Sequence, residues 1–273
     1  MNRKKQNNKL PTLYIPHGGG PCFFMEWTRG PANTWEKMKH WLAQVSNTIM
    51  PEPKAIIVIS AHWEEDEVTI NNGREPSLLY DYSGFPKHTY DLEYPAPGSP
   101  LMAEQIQALL SAEGIHSKMD SARGFDHGVF IPLLLAYPKA NIPIVQISLN
   151  ASLDPVTHIH IGRALEPLRS EGMLIIGSGM SYHNMHKLMR QNDMNLESDQ
   201  FDAWLTKTFK LPATQRNEQL CQWSKAPAAL EAHPREEHLL PLMVIAGAAG
   251  DDKGINIFSD RVLGATVSAY QFG

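Results

Sequence analysis

Residues 55–63 read AIIVISAHW, an apolar, β-branched run that ends on a histidine and a tryptophan. The six residues 55–60 have the length and composition of a strand buried on both faces, the kind found in parallel sheets. The arrangement recurs twice. YIPHGGG sets His17 directly after the run 13–16, and IIGSGMSYHN sets His183 shortly after the run 173–176. Further strands are expected at 142–149 and 262–270, and helices at 35–45, 101–113, 129–136, 156–169, 198–209 and 236–249. Alternation of this kind predicts an α/β fold: a single domain whose central, mostly parallel or mixed sheet is flanked by helices. Ligands of open α/β sheets sit beyond the carboxyl ends of the strands. His17, His62 and His183 are therefore expected to converge on one crevice, as a metal site at those ends.

Composition narrows the function classes. The chain has 273 residues, 42% hydrophobic and 19% charged, which suits a buried core in one domain and argues against disorder. The net charge of −5 and a pI near 6.2 provide no basic stripe for phosphate neutralisation, so no nucleic-acid partner is expected. The polar start leads into Leu10-Pro11-Thr12 rather than a long apolar segment, and no run is long enough to span a bilayer. Cys22 and Cys221 are too few for a disulfide framework. The expectation is a cytoplasmic protein with a flexible tail at 1–10 and one domain over 11–273.

Twelve histidines are the unusual number, since each imidazole is a potential metal ligand or proton carrier near neutral pH. Besides the three at strand ends, His127 in GFDHG and His238 in PREEHLL each precede an apolar helix. There the positive helix end disfavours the imidazolium and helps keep the ring neutral. For any one of these five a satisfied core or turn histidine is the simpler reading; together they favour a site. An open imidazole set suits Fe(II) or Zn(II), and the two cysteines match no ligand spacing. The remaining seven (His40, His88, His116, His158, His160, His186 and His233) fall in patterns that predict surface helices or loops. His158 and His160 point to different sides of an expected helix, and His186 is a weaker ligand candidate. Glu236 and Glu237 either complement the helix dipole or supply one carboxylate ligand. Adjacent Glu237 and His238 diverge too far on a helix for both to hold one ion.

Two stretches break the alternation. Residues 77–100 hold Tyr80, Tyr82, Phe85, Tyr90 and Tyr94 among prolines and glycines. They form either a loop anchored by its own aromatics or a cover for a flat substrate. Residues 211–234, with Trp223, read as a polar surface excursion.

The combination of PHGGG at His17, SAHW at His62, GFP with YPAPGSP in the long loop, GFDHG at His127, His183-Asn184 and EHLLPL at His238 resembles the extradiol ring-cleavage dioxygenases of the LigB superfamily. It is most similar to the 4,5-DOPA extradiol dioxygenase branch. The motifs run from about residue 13 to the C-terminus. The resemblance implies a single catalytic domain that binds one divalent metal ion, Fe(II) or Zn(II), through His17, His62 and His238. It implies that His183 is the acid/base beside the metal, or a fourth ligand when zinc occupies the site, and that His127 helps position the substrate and stabilise the bound oxygen species. It implies a small aromatic diol and O2 as substrates, with both oxygen atoms entering a ring-opened semialdehyde. Family members with a two-histidine, one-carboxylate site carry glutamate where this chain has His238.

Two other readings compete. A zinc-binding scaffold on the same fold would hold the same ion without redox chemistry. A serine hydrolase would use His17-Gly-Gly-Gly as an oxyanion hole, although neither Gly177-Ser178-Gly179 nor Gly179-Met-Ser181-Tyr-His183 satisfies the nucleophile-elbow spacing.

Overall fold

The computed structural model describes residues 9–190 and 195–273, and the proposed tail lies outside it except for its last two residues. Of these, Leu10 is fully buried: its N–H donates to the Arg169 carbonyl at 3.1 Å and its carbonyl accepts from Arg169 Nε at 2.7 Å.

Eight strands form one sheet in the order β4-β3-β5-β2-β6-β1-β8-β7. They are β1 (Thr12–Pro16), β2 (Ala55–Glu65), β3 (Val68–Asn71), β4 (Ser117–Asp120), β5 (Ile144–Asn150), β6 (Met173–Gly179), β7 (Gly254–Val262) and β8 (Ala265–Phe272). The centre, β5-β2-β6-β1, is parallel, and β3 and β8 pair antiparallel on its two sides, so the sheet is mixed. Connections include the helices α1 (Glu36–Leu42), α2 (Val45–Thr48), α3 (Pro100–Ala112), α4 (His127–Ala136), α5 (Pro155–Leu165) and α6 (Pro167–Ser170). The later ones are α7 (Met185–Leu188), α8 (Leu196–Thr208), α9 (Ala213–Cys221), α10 (Ala229–Ala232) and α11 (Leu240–Ala248). No helix among the described residues is long and apolar enough to cross a membrane.

The helix α11 has no polar side chain and is buried throughout, as an all-apolar helix must be. It lies across β1, β2 and β6 and packs on α5. Its C-terminal carbonyls need partners, and two buried arginines supply them. Arg169 Nη1 donates to Ala248 O and Ala249 O at 3.0 and 2.9 Å, while Arg216 Nη2 donates to Ala246 O and Gly250 O at 2.7 and 2.9 Å. The opposite end of the same helix leads out of His238, so these cations brace one wall of the site from behind.

Several expectations need correcting. The run 262–270 is the turn and second strand of the hairpin β7–β8, with Leu263 and Gly264 both at positive φ. Residues 211–234 are not a surface excursion: they fold into α9, a 3-10 turn and α10, with Arg216 and Trp223 buried. The helix expected over 156–169 breaks at Pro167 into α5 and α6. His158 and His233 are fully buried rather than on the surface. His158 is bonded on both ring nitrogens, Nδ1 to the Asp154 carbonyl at 2.7 Å and Nε2 from the Asn150 N–H at 3.2 Å.

His233 lies between Phe201 and Trp223, with ring centroids 5.3 and 6.1 Å away, and its Nε2 is 3.1 Å from the Ser181 carbonyl. Burial pushes its pKa down to about 3. The unfolded chain gains a proton near pH 6.5 that the folded chain refuses until about 3, so this stability is intact above pH 6.5 and is lost as pH falls. Between pH 7 and pH 5 the wild type should lose about 2 kcal/mol more unfolding free energy than His233→Phe. Urea titrations at both pH values check this, and parallel losses in the two proteins would refute it.

Candidate metal centre

The site is built where three neighbouring strands, β2, β6 and β1, end. His17 follows β1 at once, and its N–H donates to the Gly179 carbonyl at the end of β6 at 3.2 Å. His62 lies inside β2 rather than beyond it, because β2 continues to Glu65. Pairing with β5 jumps from Ile59↔Ile147 to Glu64↔Leu149, so residues 60–63 form an irregular bulge that re-aims the His62 side chain. His183 comes four residues after β6 and is held by its N–H to the Ala232 carbonyl at 2.9 Å. His127 is the first residue of α4, and His238 sits in the turn two residues before α11. Tyr14 Oη donates to the His238 carbonyl at 2.7 Å. The approach is close enough to require glycine. A Cβ at Gly128 would collide with Ser60 Oγ, and one at Gly179 with the His238 carbonyl.

All five histidines singled out in the sequence meet here. One ring nitrogen each of His17, His62 and His238 lies within 4.8 Å of the others. The His17 and His62 Nε2 atoms are 3.1 Å apart. The His127 ring centroid is 3.9 Å from that of His62, and the His183 ring stacks on His238 at 3.3 Å.

The outer ring nitrogens define the tautomers. Ser178 Oγ spends its hydrogen on the Gly128 carbonyl, so at 3.0 Å from His17 Nδ1 it acts as acceptor and the proton is on Nδ1. Glu237 Oε1 accepts from Nδ1 of both His238, at 2.8 Å, and His183, at 3.2 Å. Asp81 Oδ1 accepts from His127 Nδ1 at 2.8 Å. Carboxylates only accept, so His17, His127, His183 and His238 all carry their lone pair on Nε2. A separation of 3.1 Å between two ring nitrogens is less than twice the metal–nitrogen distance of about 2.0–2.1 Å, so a single divalent ion can touch both. The donor set fits such an ion. Glu237 lies behind the rings as the partner that orients them.

Electrostatics favour neutral rings. Burial, reinforced by the neighbouring imidazoles, holds His17 and His62 well below the usual histidine range. His238 is pushed down to about 4, chiefly by burial, with Glu237 opposing. Burial alone would raise the carboxyls of Glu237 and Asp81, but hydrogen bonds from His183 and His238, and from His127, outweigh it and keep both low.

The long loop is anchored by its own aromatics and also faces the site. Tyr80 Oη donates to Leu92 O at 2.6 Å and Tyr94 Oη to Tyr137 O at 3.1 Å, while the Tyr82 ring meets His127 edge-on at 5.8 Å. His186 is exposed on α7, and His160 lies 3.5 Å from Glu113, so neither joins the cluster. Ser181 Oγ accepts from the Ser268 N–H at 2.8 Å, and the Gly19 N–H is directed at Cys22 Sγ at 3.3 Å. Among the described residues no imidazole reaches the Ser181 hydroxyl as a hydrolase would require. Sequence reading missed Asp81, and it weighed Ser178 only as a nucleophile, not as the partner of His17. Ser178 stood in the quoted GSG at the end of β6, whereas Asp81 carries no local signal.

Comparison with known proteins agrees with this geometry. The family model described as the catalytic LigB subunit of aromatic ring-opening dioxygenase matches residues 11–272. The chain is 36% identical to the 4,5-DOPA dioxygenase extradiol of Beta vulgaris, over 98% of either protein. It is also 36% identical to the dioxygenase tasH of Hapsidospora irregularis, over 96% of this chain and 85% of that protein. A crystal structure of an uncharacterized protein from Escherichia coli K12 superposes with a TM-score of 0.77 at 27% identity, covering 97% of this chain and all of the other. The chain therefore belongs to the LigB family, as an extradiol ring-opening dioxygenase and so an oxidoreductase.

Proposed function

We propose that the chain opens a DOPA-like catechol beside its diol, with both atoms of O2 entering a semialdehyde product, and that Fe(II) is the working metal. His17, His62 and His238 hold the ion through Nε2, His183 is the acid/base, and His127 positions the substrate. The observation that carries this reading is the convergence of five imidazoles, four of them with Nδ1 tied outward and the Nε2 lone pair left for chemistry.

When bound, the ion brings diol and dioxygen together and supplies the redox chemistry that dioxygen requires. The chain's own residues supply the rest. His183 Nε2 takes a proton from the diol, leaving the electron-rich catecholate. The resulting imidazolium is offset by Glu237, which already accepts from its Nδ1. His127 Nε2 accepts a hydrogen bond from a substrate hydroxyl. Tyr82 and Phe85, their rings 5.5 Å apart, form the wall that excludes water from the reacting ring. Tyr82 directs its hydroxyl at the Thr89 carbonyl, so it offers the substrate a ring face instead of a donor.

Protein stripped of metal, reloaded anaerobically with Fe(II) and then given O2 and DOPA is expected to consume oxygen and catechol in equal amounts and to release a ring-opened chromophore. The zinc-loaded form should do neither, since zinc has no redox chemistry. Absence of uptake by the Fe(II) form with DOPA and simpler catechols would overturn the reading in favour of a zinc-holding scaffold.

A further inference from the structure

Asp81 sits in the irregular connection between β3 and α3, in the sequence Tyr80-Asp81-Tyr82. The chain around it is tied down on both sides. The Leu79 N–H donates to the Phe125 carbonyl and the Phe125 N–H to the Ser77 carbonyl, both at 2.8 Å, two residues ahead of His127. Tyr82 Oη donates to the Thr89 carbonyl. The carboxylate is thereby delivered to the start of α4, where Oδ1 accepts from the His127 backbone N–H at 3.0 Å and from its Nδ1 at 2.8 Å. Oδ2 lies 3.8 Å from His62 Nδ1. Among the described residues nothing hydrogen-bonds to His127 Nε2.

The geometry points to Asp81 as a positioning residue: it fixes His127 as the Nδ1–H tautomer, so that Nε2 meets the substrate as an acceptor. This rests on the functional reading above, in which Nε2 of His127 faces the diol. A carboxylate can only accept, so the ring proton has one place to be. A leucine at position 81 removes that constraint. With no acceptor left at Nδ1, the ring proton is free to sit on Nε2, and the ring then presents a donor where the reaction needs an acceptor. The connection that walls the site thus also determines the ring's proton, and it does so only when seated against α4.

Two readouts test this. In metal-free protein labelled with 15N-histidine, the His127 ring should be Nδ1–H in the wild type and in Asp81→Asn, whose amide oxygen stays on the His127 backbone N–H and still accepts from Nδ1, and should shift to Nε2–H in Asp81→Leu. In the iron-loaded enzyme, Asp81→Leu should keep its metal while kcat for DOPA falls about 10²-fold and KM changes much less, and Asp81→Asn should recover much of the rate. Wild-type His127 found as Nε2–H, or Asp81→Leu turning over within threefold of wild type, would overturn the assignment. A failure of the functional reading looks different: the iron-loaded wild type opens no catechol, while the ring-proton signals still move between variants.

Discussion

His17→Ala should leave the protein folded, unable to hold iron and inactive, with turnover falling by at least about 10⁴-fold because the reaction centre itself is gone. The argument is local. His17 is buried directly after β1, its Nδ1 is bonded to Ser178 Oγ at 3.0 Å, and its Nε2 is 3.1 Å from that of His62. Alanine removes the lone pair but leaves the ladder that places the backbone, since the residue 17 N–H still reaches the Gly179 carbonyl. Metal analysis after dialysis, with circular dichroism to confirm the fold, reads the result. His62→Ala should behave alike. Iron bound in equal amount by either variant, or wild-type turnover in either, would remove that residue from the ligand set. Ser178→Ala should act more mildly, about 10- to 100-fold in metal affinity, because it frees the His17 ring without deleting it.

The sheet and the five site histidines were legible because each left a local mark. The apolar runs 13–16, 55–60 and 173–176 could bury both faces only inside a parallel sheet, and a histidine after such a run has one end of the sheet to occupy. The short strands β3 and β4 left no such mark: β4 reads SKMD, three of its four residues polar, and is a strand only because β3 lies beside it. Likewise nothing around Asp81 signals that its partner is 46 positions away. The bulge of β2 escaped notice because SAHWEE continues the strand in sequence while its pairing changes on β5. His158 and His233 were misplaced on the surface because burial of a neutral imidazole depends on backbone partners, Asp154 and Asn150 for one and Ser181 for the other, that no periodicity reveals. Glu237 posed the subtler problem. Helix geometry excludes it and His238 as joint ligands, yet the chain is in a turn there, and the carboxylate reaches back to two imidazoles at once.

That shared carboxylate frames the second large effect: His183→Ala should retain iron and lose turnover, by about 10²- to 10⁴-fold in kcat, the range removed with a general base. His183 stacks on His238 at 3.3 Å, and both rings give their Nδ1–H to Glu237 Oε1. Removing one ring leaves the other with its partner, so His238 keeps its tautomer and the ion keeps three nitrogens. What disappears is the Nε2 lone pair to which the proposed mechanism assigns the diol proton. A catechol acidic enough to ionise unaided, such as 4-nitrocatechol, should therefore lose far less in the variant than DOPA does, because the missing proton transfer no longer limits it. Iron content, kcat for both substrates and their ratio decide the matter. Loss of iron would make His183 a ligand, and equal losses with the two catechols would assign it to binding geometry instead of proton transfer.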